Sequence, residues 1–273
     1  MKAILHTLFV AITLCLVMAS ASCKKEKANT SCRLTRINRD VADSSDISYD
    51  AQNRVSRFGF STCLYTFNYT GLTAQAHLSY YSDTSFNTLY NIYLNSDGRV
   101  ASMTYHNTVA GALYLYTYNY QYDAQGRIVL CEQNLTEDAS GIVTYHKDSL
   151  VFSSGNLVSK FSFTKTNTTP YVLAQRVNIS YTAHANKIGY YVWGTDEEPT
   201  SLTSGFTPFF HLYGNTSENL PEKSSVYNNS GVLQMETIYT FLLNADGYPT
   251  DENLARTILS PHTYTRKFTY TCN

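Results

Sequence analysis

Histidine and carboxylate side chains are the groups of this chain that could perform acid–base catalysis or bind a metal ion. The histidines after the N-terminal segment show no HxH or HExxH spacing, and no Gly-x-Ser-x-Gly turn or phosphate-binding glycine loop is present. Asp196-Glu197-Glu198 could pair as acid and base or bind calcium, but adjacent acids in a polar loop are typical of a solvated surface. We therefore expect no catalytic residue, metal site, cofactor or enzymatic activity. The alternative is a hydrolase whose two carboxylates come from distant strands and meet in a cleft.

Cysteine is the other residue type that could carry chemistry. Cys15 lies in an apolar N-terminal run, and Cys23 follows a stretch of small residues. No CxxC pair or Cys–His cluster is present, so neither a zinc site nor a redox site is expected. In an oxidising compartment the remaining cysteines are candidates for disulfides. Sequence leaves their three connectivities open; the four residues are Cys32, Cys63, Cys131 and Cys272.

The N-terminus predicts export and lipid attachment. Residues 1–22 combine a positive Lys2, an apolar run and small residues, which is the pattern of a signal peptide. Ala21-Ser22-Cys23 resembles a bacterial lipobox, in which the cysteine is acylated and becomes the new N-terminus, although Ser20 stands where Leu is usual. Cleavage by ordinary signal peptidase is the alternative. Residues 23–31 form a polar tether between the lipid at Cys23 and the folded part.

The composition excludes a strongly basic protein. Lys and Arg number 20 against 21 Asp and Glu, so no positive excess is available to neutralise phosphates and a nucleic-acid partner is not expected. Tyrosine is unusually frequent, with 24 residues, whereas charged residues make up only 15%. Tyrosine favours strands, so the composition already points to β structure.

One turn pattern recurs seven times along the chain. In five copies Asp or Asn opens the turn and Gly or Asn follows three residues later, which is typical of a type I turn closed by a left-handed residue. Phe152 and Ala183 replace the opening residue in two weaker copies. Apolar or aromatic residues flank the turns, which predicts hairpins that share one buried face. The copies are 47–55, 92–100, 120–128, 151–157, 181–188, 227–233 and 241–249.

Between these turns the chain reads as strands. Residues 112–122 carry Tyr at every second position, which places five tyrosines on one face of a strand. Only residues 251–259 could form a short helix, with a loop as the alternative. We therefore predict an all-β protein in which residues 32–273 form a single domain. Its strands make an antiparallel meander of repeated hairpins, as one extended twisted sheet or a rolled open barrel, with a β-sandwich as the alternative.

The Tyr-Asp-x-x-Gly-Arg unit at 122–127 resembles the YD hairpin repeat of Rhs-type shell proteins. More broadly, residues 23–273 resemble a group of Bacteroidetes lipoproteins built from such hairpins. Cys23 with Lys24-Lys25, Asn219-Leu220-Pro221 and residues 244–250 carry this resemblance. It implies an outer-membrane, lipid-anchored protein on either face of that membrane, and it transfers no catalytic residue. The chain is far shorter than the Rhs shells that enclose a toxin.

Exposed aromatic side chains are the remaining candidates for function, because their rings stack on sugars or peptide side chains. The first hypothesis is a non-enzymatic envelope lipoprotein, a structural or interaction module that presents a Tyr-rich β surface. The alternative is a surface glycan-binding lipoprotein of a nutrient-uptake system. The membrane is the expected partner through the lipid, and a glycan or protein is a further candidate. The candidate platform residues are Tyr80, Tyr81, Tyr190, Tyr191, Trp193, Phe209, Phe210 and Tyr213.

Overall fold

A computed structural model describes residues 32–39, 43–81, 87–109, 112–137, 140–189, 210–257 and 261–272. The predicted signal peptide (1–22) and the tether (23–31) with Cys23 lie outside these residues. Two compact units divide the chain. Leu34–Tyr270 is the larger. The smaller comprises residues 1–33 and 271–273, and in its described part Cys32 and Cys272 form a disulfide.

The described residues form sixteen β-strands and one turn of 3-10 helix, η1 (Phe210–Leu212). Among these residues no helix is long and apolar enough to cross a membrane. The strands are β1 (Cys32–Arg39), β2 (Asp43–Tyr49), β3 (Val55–Gly59), β4 (Cys63–Thr70), β5 (Thr73–Tyr80), β6 (Asn87–Leu94), β7 (Val100–Val109), β8 (Ala112–Tyr122), β9 (Ile128–Glu137), β10 (Val143–Ser153), β11 (Asn156–Thr166), β12 (Val172–Ala185), β13 (Asn219–Asn228), β14 (Leu233–Leu243), β15 (Pro249–Arg256) and β16 (His262–Cys272).

The sheet is an antiparallel meander, as predicted, and it closes. Every strand pairs with its neighbour in sequence, and β16 pairs with β1 to complete a barrel. The open twisted sheet, the open barrel and the sandwich are therefore wrong. Closure has a physical reason, since an open meander would leave the backbone N–H and C=O groups of β1 and β16 without partners. A side-chain bond adds to this seam, where Thr35 Oγ1 donates to the carbonyl of Thr269 at 3.1 Å.

The five strong copies of the turn fold as predicted. In the 120–128 copy, Asp123 Oδ1 accepts hydrogen bonds from the backbone N–H groups of Gln125 (2.9 Å) and Arg127 (3.0 Å), and Gly126 adopts a positive φ of 74°. The other four turns, which open at Asp50, Asn95, Asn228 and Asn244, repeat both bonds. The first side chain therefore fixes the turn and, with it, the register of the hairpin.

The two weaker copies do not fold this way. Ser154 and Gly155 both have positive φ, so β10 and β11 are joined by a tight two-residue turn. At the other copy β12 continues to Ala185, and the chain enters its partner β13 only at Asn219. The hairpin predicted at Asn186 is therefore wrong. The physical reason is that Ala183 has no side-chain acceptor to close a turn.

The segment 251–259 is not a helix either, since β15 runs to Arg256. Glu252, Leu254 and Arg256 are buried at alternate positions of this strand. The backbone of β15 pairs with β14 on one side and β16 on the other, and this tertiary pairing overrides the local helical pattern.

Tyrosine hydroxyls link successive hairpins. The aromatic residue that ends a strand donates its hydroxyl to a backbone carbonyl near the start of the preceding strand, at 2.6–2.8 Å. The pairs are Tyr49 with Leu34, Tyr69 with Val55, Tyr122 with Val100, Tyr181 with Leu157 and Tyr270 with Pro249. Each such bond gives a backbone carbonyl of the preceding strand a side-chain donor, so these tyrosines have a structural role.

Candidate ligand-binding site

The predicted aromatic platform is only partly at the surface. Tyr80 and Tyr81 are exposed, at 38% and 60%. Tyr213 is 2% exposed and packs on the ring of Tyr120, 5.6 Å between centroids, so its assignment to an exposed platform is wrong. The reason is that its backbone neighbour Asn215 bonds to the Gly126 carbonyl at 2.9 Å and holds this segment against a turn. Phe210 begins η1, and Tyr190, Tyr191, Trp193 and Phe209 lie outside the described residues.

The tyrosines of β8 face the interior, so they do not form the presented Tyr-rich surface that we expected. Tyr105 of β7 stacks on Tyr116 at 4.6 Å, and Tyr118 and Tyr120 are buried beside it. Burial raises the pKa of Tyr105 to about 12 and raises that of Tyr118 further. These phenols stay protonated at neutral pH and serve as core.

Two pairs of opposite charges lie inside the barrel. Glu252 and Arg266 form a buried ion pair at 3.1 Å, and Lys160 lies 3.6 Å from Asp148. Cys131 is a buried thiol whose pKa is raised well above its ordinary value by desolvation. In the described ranges no three His, Cys, Asp or Glu side chains gather to hold a metal ion.

Cys63 is also a buried thiol, so of the four disulfide candidates Cys32 and Cys272 form a disulfide, and the second disulfide, between Cys63 and Cys131, is not formed. The acidic triplet 196–198 lies outside the described residues. His211 contacts Tyr69, with its Nε2 2.8 Å from the phenol oxygen.

A depression on the outer face of β4, β5 and β6 is the strongest candidate for a ligand site. Its volume is about 320 Å³. Tyr93 stands at its side with 52% of its surface exposed. Ala74 and Ile92 border it, but their side chains are buried. The other lining residues have uncharged polar side chains, namely Asn68, Thr70, Thr73, Gln75, Asn91 and Tyr93.

The register explains why these side chains meet. Asn68 pairs with Gln75, and Gln75 pairs with Asn91 across β4, β5 and β6, so three amides lie side by side on one face. The next row places Thr73 opposite Tyr93. Buried Ala74 between Thr73 and Gln75 confirms that these two residues face outward.

The amide row continues around the barrel as a line of uncharged polar residues. Asn91 pairs with Thr104, Thr104 with Thr117, and Thr117 with Asn134. Six strands, β4 to β9, therefore contribute one row, and at about 4.8 Å between strands it spans about 24 Å. We call this line (Asn68, Gln75, Asn91, Thr104, Thr117 and Asn134) the amide row.

A second aromatic surface lies on the outer face of β10 and β11, and it is charged. The Lys147 and Lys165 ammonium groups stand 5.2 and 4.7 Å from the ring centroid of Tyr171. Lys165 also lies 4.3 Å from the ring of Tyr145. Neither this cluster nor Tyr93 was among the predicted platform residues, because the outward face of a strand depends on its register.

Comparisons with known proteins support the fold. No protein-family model and no curated protein matches the sequence. A crystal structure of a porin-like protein from Bacteroides uniformis is similar, with a TM-score of 0.61 and 15% identity, covering 89% of this chain and 96% of the other. A porin-like protein from Bacteroides vulgatus has a TM-score of 0.57 and 11% identity, covering 88% and 99%. At these identities the likeness concerns the all-β barrel fold alone.

Proposed function

We propose that this chain is a non-enzymatic lipoprotein of the cell envelope, a structural or interaction module whose barrel stands in water. The polar residues on the outer face of β5 and along the amide row are the observation that carries the proposal. On β5 the inward Ala74, Ala76 and Leu78 are buried, and the outward Thr73 and Gln75 are exposed. The apolar side chains of this strand thus face inward.

A bilayer-spanning barrel has the opposite arrangement, with an apolar outer band about 25 Å tall and a polar interior. Here the amide row crosses six strands on the outer face. On β1 and β2 the outer face carries the exposed ion pair of Arg36 and Asp46. Removing these amides and charges from water would be costly, which supports a barrel that contacts water outside.

Membrane attachment in this proposal comes from the lipid at Cys23, with residues 24–31 as a polar spacer. The lipobox-like sequence and the resemblance to envelope lipoproteins support an outer-membrane location. Two or more acyl chains suffice to hold a water-facing domain at a membrane. The partner is then bound by the outer face of the barrel.

Metabolic labelling with an alkyne fatty acid, followed by phase separation in Triton X-114, tests this proposal in a Bacteroidetes host. We expect the full chain to take up label and enter the detergent phase. Cys23→Ala should lose the label and enter the aqueous phase, and the matched control Cys15→Ala should behave as the parent chain. An unlabelled parent chain, or a Cys23→Ala variant that stays in the detergent phase, would contradict the proposal.

A further inference from the structure

We infer that the depression beside Tyr93 binds a neutral oligosaccharide, with the amide row as the surface along which a longer glycan lies. The inference deepens the proposed function and rests on it in one respect, since the outer face must contact water. Its basis is a combination of hydrogen-bonding groups, an exposed ring and absent charge within one cavity.

The lining offers both donors and acceptors to a ligand. Gln75 Nε2 donates to Asn91 Oδ1 at 3.2 Å, which leaves Gln75 Oε1 as an acceptor and Asn91 Nδ2 as a donor for a ligand. In the described part of the chain the Asn68 amide makes no side-chain hydrogen bond, so it offers both. A sugar hydroxyl both donates and accepts a hydrogen bond at the same oxygen. Adjacent amides, which offer donors and acceptors side by side, can therefore bond to neighbouring hydroxyls of one sugar.

The ring of Tyr93 supplies the apolar contact that a sugar needs. A pyranose has faces of C–H groups, which pack on aromatic rings while the hydroxyls at its edge reach polar partners. Tyr93 is directly opposite Thr73 and adjacent to Asn91, so a sugar on its ring lies within reach of the amides. An exposed tyrosine at the edge of an amide-lined hollow is thus placed to stack.

The absence of charge from the lining defines the ligand class. Apart from the phenol of Tyr93, no ionisable side chain lines the depression. A uronic acid or a sulfated sugar would lose hydration there without gaining a cation. The lysine-bearing cluster on β10 and β11 is a different surface. The chemistry therefore favours uncharged hexoses.

Affinity electrophoresis and calorimetry of the processed lipoprotein, extracted from its own envelope in mild detergent, test the inference. The probes are maltohexaose, cellohexaose and mannohexaose, with hexagalacturonate as the acidic counterpart. We expect at least one neutral hexasaccharide to bind with a Kd below about 1 mM. Binding should be insensitive to salt, since no ion pair forms.

Variants locate the site. Tyr93→Ala should weaken binding roughly tenfold by removing the stacking surface, and Tyr93→Phe should retain most of the affinity. Gln75→Ala with Asn91→Ala should weaken it further. The matched control is Leu242→Ala, which removes an exposed apolar side chain of β14 outside the depression and should bind as the parent chain does.

The inference is overturned if no neutral hexasaccharide binds at about 1 mM, if hexagalacturonate binds more tightly, or if Tyr93→Ala and Leu242→Ala bind equally well. Circular dichroism of each variant establishes that its fold is intact. These outcomes are separate from the proposed function, because labelling and phase separation of the Cys23 variant do not depend on any ligand.

Discussion

The phenol oxygen of Tyr122 donates a hydrogen bond to the carbonyl of Val100 at 2.8 Å, and so joins the end of β8 to the start of β7. The two residues belong to successive copies of the repeat, 22 positions apart. Arg99, beside Val100, lies 5.7 Å from the ring of the same tyrosine. Tyr122 thus adds a side-chain bond between two hairpins whose strands β7 and β8 also pair through their backbones.

Tyr122→Phe should lower the free energy of unfolding by about 1–3 kcal/mol, because it leaves the Val100 carbonyl without a donor in a buried position. Urea denaturation measures the change. Tyr93→Phe is the matched control, since Tyr93 is half exposed, and it should change stability by less than about 0.5 kcal/mol. Equal effects of the two substitutions would show that the bond contributes nothing.

Asp123→Ala should destabilise the protein by about 1–2 kcal/mol, because it removes the acceptor for two backbone N–H groups and for Arg127 Nε. Asp123→Asn should cost much less, since Asn95, Asn228 and Asn244 make the same backbone bonds in their turns. Urea denaturation of both variants checks this. If Asp123→Asn lowers the free energy of unfolding as much as Asp123→Ala does, the side-chain acceptor does not stabilise the turn.

The same residue gives the stability a pH dependence. Burial alone raises the pKa of Asp123, but the hydrogen bonds and charge of Arg127 outweigh it and hold the pKa below its ordinary value of 3.8. The carboxylate therefore contributes stability that is present above pH 3.8 and is lost as the pH falls through the folded-state pKa. Asp123→Asn should flatten this acid limb of the stability–pH profile. If the loss of stability at acid pH is the same in Asp123→Asn as in the parent chain, other carboxylates cause it.

Gly214→Ala should destabilise the protein more than Gly98→Ala. Both glycines have a positive φ, 81° and 76°, which costs an alanine about 1–2 kcal/mol. A Cβ at Gly98 would meet open space, whereas a Cβ at Gly214 would lie 2.5 Å from the carbonyl oxygen of Gly126. Because backbone atoms cannot rotate away as a side chain can, the backbone around residue 214 would have to shift away from the turn at Gly126. Thermal unfolding of both variants checks the order, and equal losses would contradict it.

Alkaline pH should unfold the barrel cooperatively. The pKa of Tyr105 is raised by burial to about 12, so its neutral form stabilises the folded state below pH 10, and this contribution is lost as the pH rises from 10 to 12. As the pH is raised, tyrosinate absorbance should increase in a single step, and the circular dichroism signal should be lost in the same step. Tyr105→Phe should shift that step to higher pH. Gradual ionisation without unfolding would contradict it.

Much of the fold follows from the sequence, because the turns are local. Asp123 and Gly126 specify their hairpin without reference to the rest of the chain. The interval between Asn53 and Gly98 does hold an extra pair of strands, β4 and β5. In the described part of the interval from Asn186 to Gly231, which leaves out residues 190–209, no extra pair of strands is present. Barrel closure could not be predicted, because the pairing of β16 with β1 is set by the sum of the strand twists.

The candidate site could not be predicted from the sequence for a related reason. Tyr93 belongs to one of the quoted turn copies, and buried Ile92 beside it is the signal that Tyr93 faces outward. Its partners Gln75 and Asn68 come from other strands, and their alignment depends on register. The lipid at Cys23 and the resemblance to envelope lipoproteins remain predictions from the sequence.

The disulfide between Cys32 and Cys272 has a mechanical consequence. In a chain anchored at Cys23, any pull from the membrane reaches the fold through Cys32, and the cross-link divides that load between the first and last strands. Force applied at the tether then loads β1 and β16 together, whereas without the cross-link it would load β1 alone. An anchored barrel with this bond should withstand stretching that would peel open its reduced form.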